Sequence, residues 1–152
     1  MKVLMILLLL IVELSAVNTN ELVGKWQVVR QTTNNGTLTI EKEYLTLNGN
    51  GTFFLLGLVS VQKGEAFVRD MRLEVSGIWK VWENTFVLVV KKVEVPKAAE
   101  IYLISQASLR TIAATFKNKW ENKPIGISKI MALDSNNLTM LNEQGIKSAY
   151  KR

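Results

Sequence analysis

The chain has no cysteine and no histidine among its 152 residues. Without cysteine, no disulfide can stabilise the fold, no thiolate can bind zinc, and no lipid can be attached to a cysteine. Without histidine, the sequence excludes Ser-His-Asp triads, Cys-His nucleophile pairs and a haem held by histidine. These two absences remove most of the common metal centres and nucleophilic active sites.

Acidic side chains also give little support for catalysis. The sequence has only two aspartates, Asp70 and Asp134, beside eleven glutamates. Asp134 lies in "LDSNN", where an aspartate commonly accepts hydrogen bonds from its own turn. No spacing marks a pair of carboxylates for glycoside hydrolysis, and no glycine-rich phosphate loop is present. The sequence therefore predicts a protein that is not an enzyme and that holds no cofactor and no metal.

The N-terminus has the residue order of a secretory signal peptide. Lys2 precedes an apolar run at 3–12, and Ser15 and Ala16 follow it. Ten apolar residues are too few to cross a bilayer core of about 30 Å as a helix. We expect a signal peptide at 1–16 that is cleaved after Ala16, the alternative being an uncleaved anchor, and a single mature domain at 17–152. Secretion without disulfides fits a secreted or periplasmic bacterial protein.

Most of the mature chain alternates apolar and polar residues with the period of two that is typical of β-strands. In "GKWQVVRQ", Trp26 and Val28 share one side, whereas Lys25 and Gln27 share the other. Turn signals separate such segments, and the glycosylation sequons at Asn35, Asn50 and Asn137 are interpreted mainly as turns. The predicted strands are 24–31, 43–47, 52–61, 66–75, 77–82, 85–95, 125–133, 137–141 and 146–150.

One segment has the period of a helix instead. Within 105–120, a single stripe holds the apolar residues Leu109, Ile112, Ala113, Phe116 and Trp120. This spacing predicts an amphipathic helix that begins at a serine cap and ends before Pro124. Eight or nine short strands with one late helix indicate an all-β fold, most simply an up-and-down antiparallel barrel, with a sandwich as the alternative.

Four motifs occur in an order that resembles the small bacterial lipocalin-like (calycin) domains. They are "GKW" (24–26), "LTLNGNGTFFL" (45–55), "SGIWKVWENTFVLVV" (76–90) and "SKIMALDSNNLTML" (128–141). The resemblance covers nearly all of the mature chain and implies a barrel whose first strand crosses a closed end. It assigns a structural role to Gly24 and Trp26, and to the second motif at Gly77 and Trp79. It also implies that a basic side chain near the C-terminus, from Lys147, Lys151 or Arg152, covers Trp26.

The resemblance implies a ligand inside the barrel, and we expect a small apolar or amphipathic molecule of the lipid or fatty-acid type. Arg69 interrupts an apolar face and is the candidate for a ligand carboxylate or phosphate, with Arg30 a weaker one. The alternative for Arg69 is a position near a strand end with an ion pair to a glutamate. The other candidate ligand-binding residues are Phe53, Leu55, Phe67, Met71, Trp79 and Phe86. They could equally fill the barrel, and the protein would then act through its surface as an inhibitor or an envelope interaction module.

The net charge of +6 indicates weak attraction to anionic envelope surfaces. In "KNKWENK" (117–123), lysines surround Trp120, as in surfaces that bind polyanions or membranes. The same residues also fit the end of the predicted helix, with Trp120 in its buried stripe. Because the protein is expected to be secreted, we predict no nucleic-acid partner, and we expect a monomer.

Overall fold

The computed structural model describes residues 16–96 and 100–152. The predicted signal peptide falls almost wholly on residues 1–15, which lie outside the described residues. Within these two ranges, the chain forms two helices and nine strands. They are α1 (Thr19–Leu22), β1 (Gly24–Asn34), β2 (Thr37–Leu47), β3 (Thr52–Lys63), β4 (Ala66–Trp82), β5 (Thr85–Glu94), β6 (Glu100–Tyr102), α2 (Gln106–Glu121), β7 (Ile125–Leu133), β8 (Asn137–Asn142) and β9 (Lys147–Lys151).

Eight antiparallel strands form a closed barrel in the order β1-β2-β3-β4-β5-β7-β8-β9. Each strand pairs with the next strand in this order, and β9 closes the ring on β1, where Lys151 pairs with Gln27. The short β6 lies outside the ring and pairs with the start of β4. The predicted all-β, up-and-down barrel with one late helix is therefore confirmed.

Two predicted strands, 66–75 and 77–82, form the single long strand β4. The pairing of β4 with β5 shifts between Ser76 and Gly77, which is a β-bulge. A side chain at Gly77 would place its Cβ 1.9 Å from the Val89 carbonyl oxygen, so only glycine fits this approach. Lys91 of β5 is the extra residue of this bulge, so alternation continues along β4 through Val75, Gly77 and Trp79, and Trp79 points into the barrel.

The predicted helix is confirmed as α2, with Ser105 as its N-cap. The Ser105 hydroxyl accepts a hydrogen bond from the Ser108 N–H at 3.1 Å. Leu109, Ile112 and Phe116 of its apolar stripe pack against the buried Val59, Val68 and Met71 of β3 and β4. Neither helix of the described residues is long and apolar enough to span a membrane.

The main core fills one end of the barrel, which we call the closed end. Trp26 is 1 % exposed and Leu22 of α1 is fully buried beside it. The two indole N–H groups at this end both find backbone acceptors, with Trp26 donating to Leu22 at 2.8 Å and Trp79 donating to Asn48 at 3.0 Å. Because these polar atoms are satisfied, the rings can be buried at little cost.

Candidate functional site

The other end of the barrel, which we call the open end, contains a cavity of about 830 Å³. Ligand pockets in proteins commonly have volumes of about 300–1,000 Å³. Most of its lining residues come from β1, β2, β3, β5, β7, β8 and β9 and from the second half of α2. The C-terminal part of α2, with Trp120, lies across the mouth.

The inner part of the cavity is apolar. Phe86 is 1 % exposed and lies against Trp79 of the closed end, with ring centroids 6.1 Å apart, so the filled core forms the cavity floor. The apolar residues that line this inner part are Leu45, Leu55, Phe86, Leu88 and Met140. Alternation places these side chains inward on four strands, β2, β3, β5 and β8.

A cluster of polar side chains lines one side of the cavity. The Arg30 guanidinium forms an ion pair with the Glu43 carboxylate and donates a hydrogen bond to the Ser148 hydroxyl at 2.8 Å. The Tyr150 hydroxyl donates to the same carboxylate at 3.0 Å. The side chains of Arg30 and Glu43 are 28 % and 12 % exposed, so the pair is partly shielded from water. We call these four residues the Arg30 cluster.

Contacts within the cluster and burial shift the pKa values of two of its members, Arg30 and Tyr150. Burial lowers the pKa of Arg30, but the charge of Glu43 and contacts with Tyr150 outweigh burial, so the pKa lies above its ordinary value. Burial raises the pKa of Tyr150 above its ordinary value, and the Glu43 charge raises it further. At neutral pH, Tyr150 is therefore a neutral donor and Arg30 carries its positive charge.

The charges around the cavity balance. Three cationic side chains line it (Arg30, Lys119 and Lys123), and so do three anionic side chains (Glu41, Glu43 and Glu143). Besides the Arg30–Glu43 pair, Lys119 of α2 lies 3.9 Å from Glu41 of β2. The net charge of +6 on the whole chain is therefore not concentrated in this cavity.

Arg69 does not lie in the cavity. It is on the outer side of β4, where its guanidinium is 3.4 Å from the Glu100 carboxylate and 4.4 Å from the centre of the Phe67 ring. Its side chain is 58 % exposed. This arrangement matches the alternative interpretation of Arg69, an ion pair to a glutamate near a strand end.

A second β-bulge explains why the period-two pattern had put Arg69 on the apolar face of β4. Val59 pairs with Met71 and Val61 pairs with Val68, so Arg69 and Asp70 together face the single residue Ser60. Asp70 has a φ of +48°, and its N–H donates to the Ser60 hydroxyl at 3.0 Å. The bulge resets the alternation, which turns Val68 and Met71 inward and leaves Arg69 outside.

The other candidate residues lie in four places. Leu55 and Phe86 line the cavity. Phe53 and Trp79 are buried in the core of the closed end, and Met71 is buried under α2. Phe67 is outside the barrel, stacked on Tyr102 with ring centroids 5.6 Å apart.

The Arg30 cluster was only partly visible in the sequence. Arg30 shares the alternating face of Trp26 and Val28, and Glu43 shares that of Leu45 and Leu47, so period two places both charges inside a barrel. Ser148 and Tyr150 follow the same rule on β9, but nothing in the sequence marks their pairing with Arg30.

At the closed end, Arg152 lies over Trp26, with its guanidinium carbon 4.3 Å from the ring centroid. It also donates to the carbonyls of Glu21 and Val23, the latter at 2.9 Å. Of the three basic residues considered for this position, the structure places Arg152 there. A comparison of the chain with protein-family models and with curated proteins finds no match.

Proposed function

We propose that this protein is lipocalin-like and binds a small amphipathic molecule of the lipid type in its barrel. The observation that carries the proposal is the cavity of about 830 Å³ beneath α2. A cavity of this size favours ligand binding over the alternative of a filled barrel that acts through its surface. Further support for the lipocalin-like assignment comes from the four ordered motifs and from Arg152 over Trp26.

The apolar part of the ligand would occupy the inner cavity. There it would displace water from Leu45, Leu55, Phe86, Leu88 and Met140. Burial of apolar surface contributes about 25 cal/mol per Å², so an acyl chain would bind mainly through this contact. The polar part would then lie beside the Arg30 cluster and the end of α2.

A neutral or zwitterionic head group fits this position better than a carboxylate. Glu43 already pairs with Arg30, and a fatty acid would have to compete with it for the guanidinium. The balanced charges around the cavity also give an anion no net attraction. Among lipid-type ligands, we therefore expect hydroxyl-bearing molecules such as monoacylglycerols to bind more tightly than fatty acids.

Native mass spectrometry of the protein purified from its own host, and calorimetric titration with a monoacylglycerol and a fatty acid, would test the proposal. We expect a bound acyl-chain molecule and tighter binding of the monoacylglycerol. Glu43→Gln should strengthen fatty-acid binding, because Arg30 then lacks its charged partner.

Two methionines provide a matched pair of variants. Met140→Trp would fill part of the cavity and should abolish binding, whereas Met131→Trp changes a side chain that is 52 % exposed and should leave binding intact. Melting curves would show that both variants fold. Absence of any bound molecule together with no heat from either ligand would contradict the proposal.

Secretion and a periplasmic or extracellular location also remain part of the proposal, supported by the residue order at 1–16. Expression of the full chain in a bacterial host, followed by N-terminal sequencing of the exported protein, would test them. We expect the exported chain to begin at Val17. Retention of the intact N-terminus in the membrane fraction would favour the uncleaved anchor.

A further inference from the structure

The outer faces of β4, β5 and β7 carry apolar side chains where polar residues are usual. Strand pairing aligns their outward residues in three rows across the barrel wall. The rows are Ile78–Val89–Ile125, Lys80–Val87–Ile127 and Trp82–Thr85–Lys129, and we call these nine residues the outer wall.

The large apolar residues of the outer wall are exposed to water. Trp82 is 77 % exposed, Ile125 is 55 % exposed and Ile78 is 45 % exposed. The other three tryptophans of the chain are buried or half-buried. A group of neighbouring exposed apolar side chains marks an interaction surface more often than an ordinary surface.

Positive charge accompanies these apolar residues. Lys80 and Lys129 are both exposed and are the charged members of the outer wall. Within the described part of the chain, neither forms a salt bridge. The acid nearest to Lys80 along the chain is Glu83, in the turn before β5, and the acid nearest to Lys129 is Asp134, in the turn after β7. The whole chain also has a net charge of +6.

We propose that the outer wall docks on an anionic lipid bilayer. Tryptophan is enriched at membrane interfaces because its ring is apolar and its N–H is polar. Lysine can place its aliphatic part along an apolar surface while its ammonium group meets lipid phosphates. The isoleucines supply apolar area, which together with charge sets the strength of interfacial binding. This proposal does not depend on a ligand in the cavity.

The branched aliphatic side chains of the outer wall favour a lipid bilayer over other anionic partners. A nucleic acid or an acidic polysaccharide would pair with the lysines, but it would offer little apolar surface to Ile78 and Ile125. An anionic bilayer offers both charge and apolar depth. The outer wall also borders the cavity mouth, since Ile125 and Ile127 contribute to its rim. Docking would therefore bring the mouth close to the lipid.

Co-sedimentation of the purified protein with vesicles would test this proposal. We expect binding to vesicles that contain phosphatidylglycerol and weak binding to pure phosphatidylcholine. Each lysine near an anionic surface contributes about fivefold to partitioning, so Lys80→Glu with Lys129→Glu should reduce binding at least about 25-fold. Trp82→Ala should reduce it about tenfold through lost apolar burial.

A charge-matched control distinguishes vesicle binding through the outer wall from vesicle binding through the net charge of the chain. Lys25 and Lys151 are exposed on β1 and β9, on the far side of the barrel from β5. Lys25→Glu with Lys151→Glu should retain most of the binding. Equal loss in the two double variants, no loss in Trp82→Ala, or no binding to anionic vesicles would each overturn the proposal. Binding to soluble polyanions with no binding to vesicles would overturn it in favour of a different partner.

Discussion

At the closed end of the barrel, Trp26, Phe53 and Trp79 are almost completely buried, and the indole N–H groups are satisfied by backbone carbonyls. At the open end, the inward side chains of β1 and β2 include Arg30 and Glu43, which lie beside a cavity of about 830 Å³. The same barrel thus has one filled end and one end with a cavity. The alternation of apolar and polar residues determines that a barrel forms, whereas the size and polarity of the inward side chains determine which end is filled. The closed end is therefore expected to supply stability, and the open end to supply binding.

Replacing Trp26 at the closed end gives the largest expected effect on stability. Trp26→Ala removes a ring that is 1 % exposed, and its loss should lower the free energy of unfolding by about 3–5 kcal/mol. Denaturant titration followed by circular dichroism would measure the change. Trp82→Ala is the matched control, since a side chain that is 77 % exposed should change stability by less than about 0.5 kcal/mol. Equal effects would show that Trp26 is not the centre of the core.

Gly77 tests the close approach of β4 and β5 beside the closed end. Gly77→Ala brings a Cβ within 1.9 Å of the Val89 carbonyl oxygen, so β4 and β5 must separate, at a cost of about 3 kcal/mol. Gly126 lies in β7 with no atom within 4 Å of its added Cβ, so Gly126→Ala should be nearly neutral. Thermal melts of the two variants would be compared. A melting temperature for Gly77→Ala that equals the wild-type value would contradict the close approach.

The Arg30–Glu43 pair tests the open end. Arg30→Met leaves a carboxylate that is 12 % exposed with Tyr150 as its remaining donor in the cluster, and should cost about 2 kcal/mol. Replacing both residues with methionine should restore most of the stability, because apolar residues often substitute for a buried ion pair without loss. Chemical denaturation of the single and double variants would measure this difference.

A matched surface pair gives the control for that measurement. Arg72 pairs with Glu74 on the outside of β4, where its side chain is 48 % exposed. Arg72→Met should change the free energy of unfolding by less than about 1 kcal/mol. If the double methionine variant were as unstable as Arg30→Met alone, the pair would be a stabilising element of the barrel, and the contrast between the two ends would fail.

The sequence was sufficient for the barrel but not for the whole cavity. Period two identified the strands, and period 3.6 identified α2, because both follow from which side chains face the core. Arg69 was misassigned because a bulge at Asp70 inserts one extra residue, and a single sequence gives no sign of such a shift. The Arg30 cluster joins β1, β2 and β9, so it required the closure of β9 on β1, which local patterns do not encode.

The smallest expected effect concerns Asp134, in the β7–β8 turn beside the closed end. Its carboxylate accepts hydrogen bonds from the N–H groups of Asn136 and Asn137, both at 2.8 Å, as expected from "LDSNN". The bond from Asn136, with those from Asn137, lowers the pKa of Asp134 below its ordinary value of 3.8. The folded state therefore binds this proton less tightly than the unfolded state does. The resulting stability is present above pH 3.8 and is lost as the pH falls through the folded pKa.

Asp134→Asn should remove this dependence. Melting temperatures measured from pH 5 downward should show the wild-type advantage over Asp134→Asn shrinking as the acid protonates. Asp70→Asn is the control, because asparagine also accepts the positive φ at that bulge, and Asp70 contributes its N–H rather than its carboxylate to the bond with Ser60. That variant removes one acidic side chain elsewhere in the barrel, and at pH 5 it should melt close to the wild-type temperature. A constant difference between wild type and Asp134→Asn across the range would contradict the low pKa. The closed end would then owe its stability to burial, with no measurable contribution from this exposed turn.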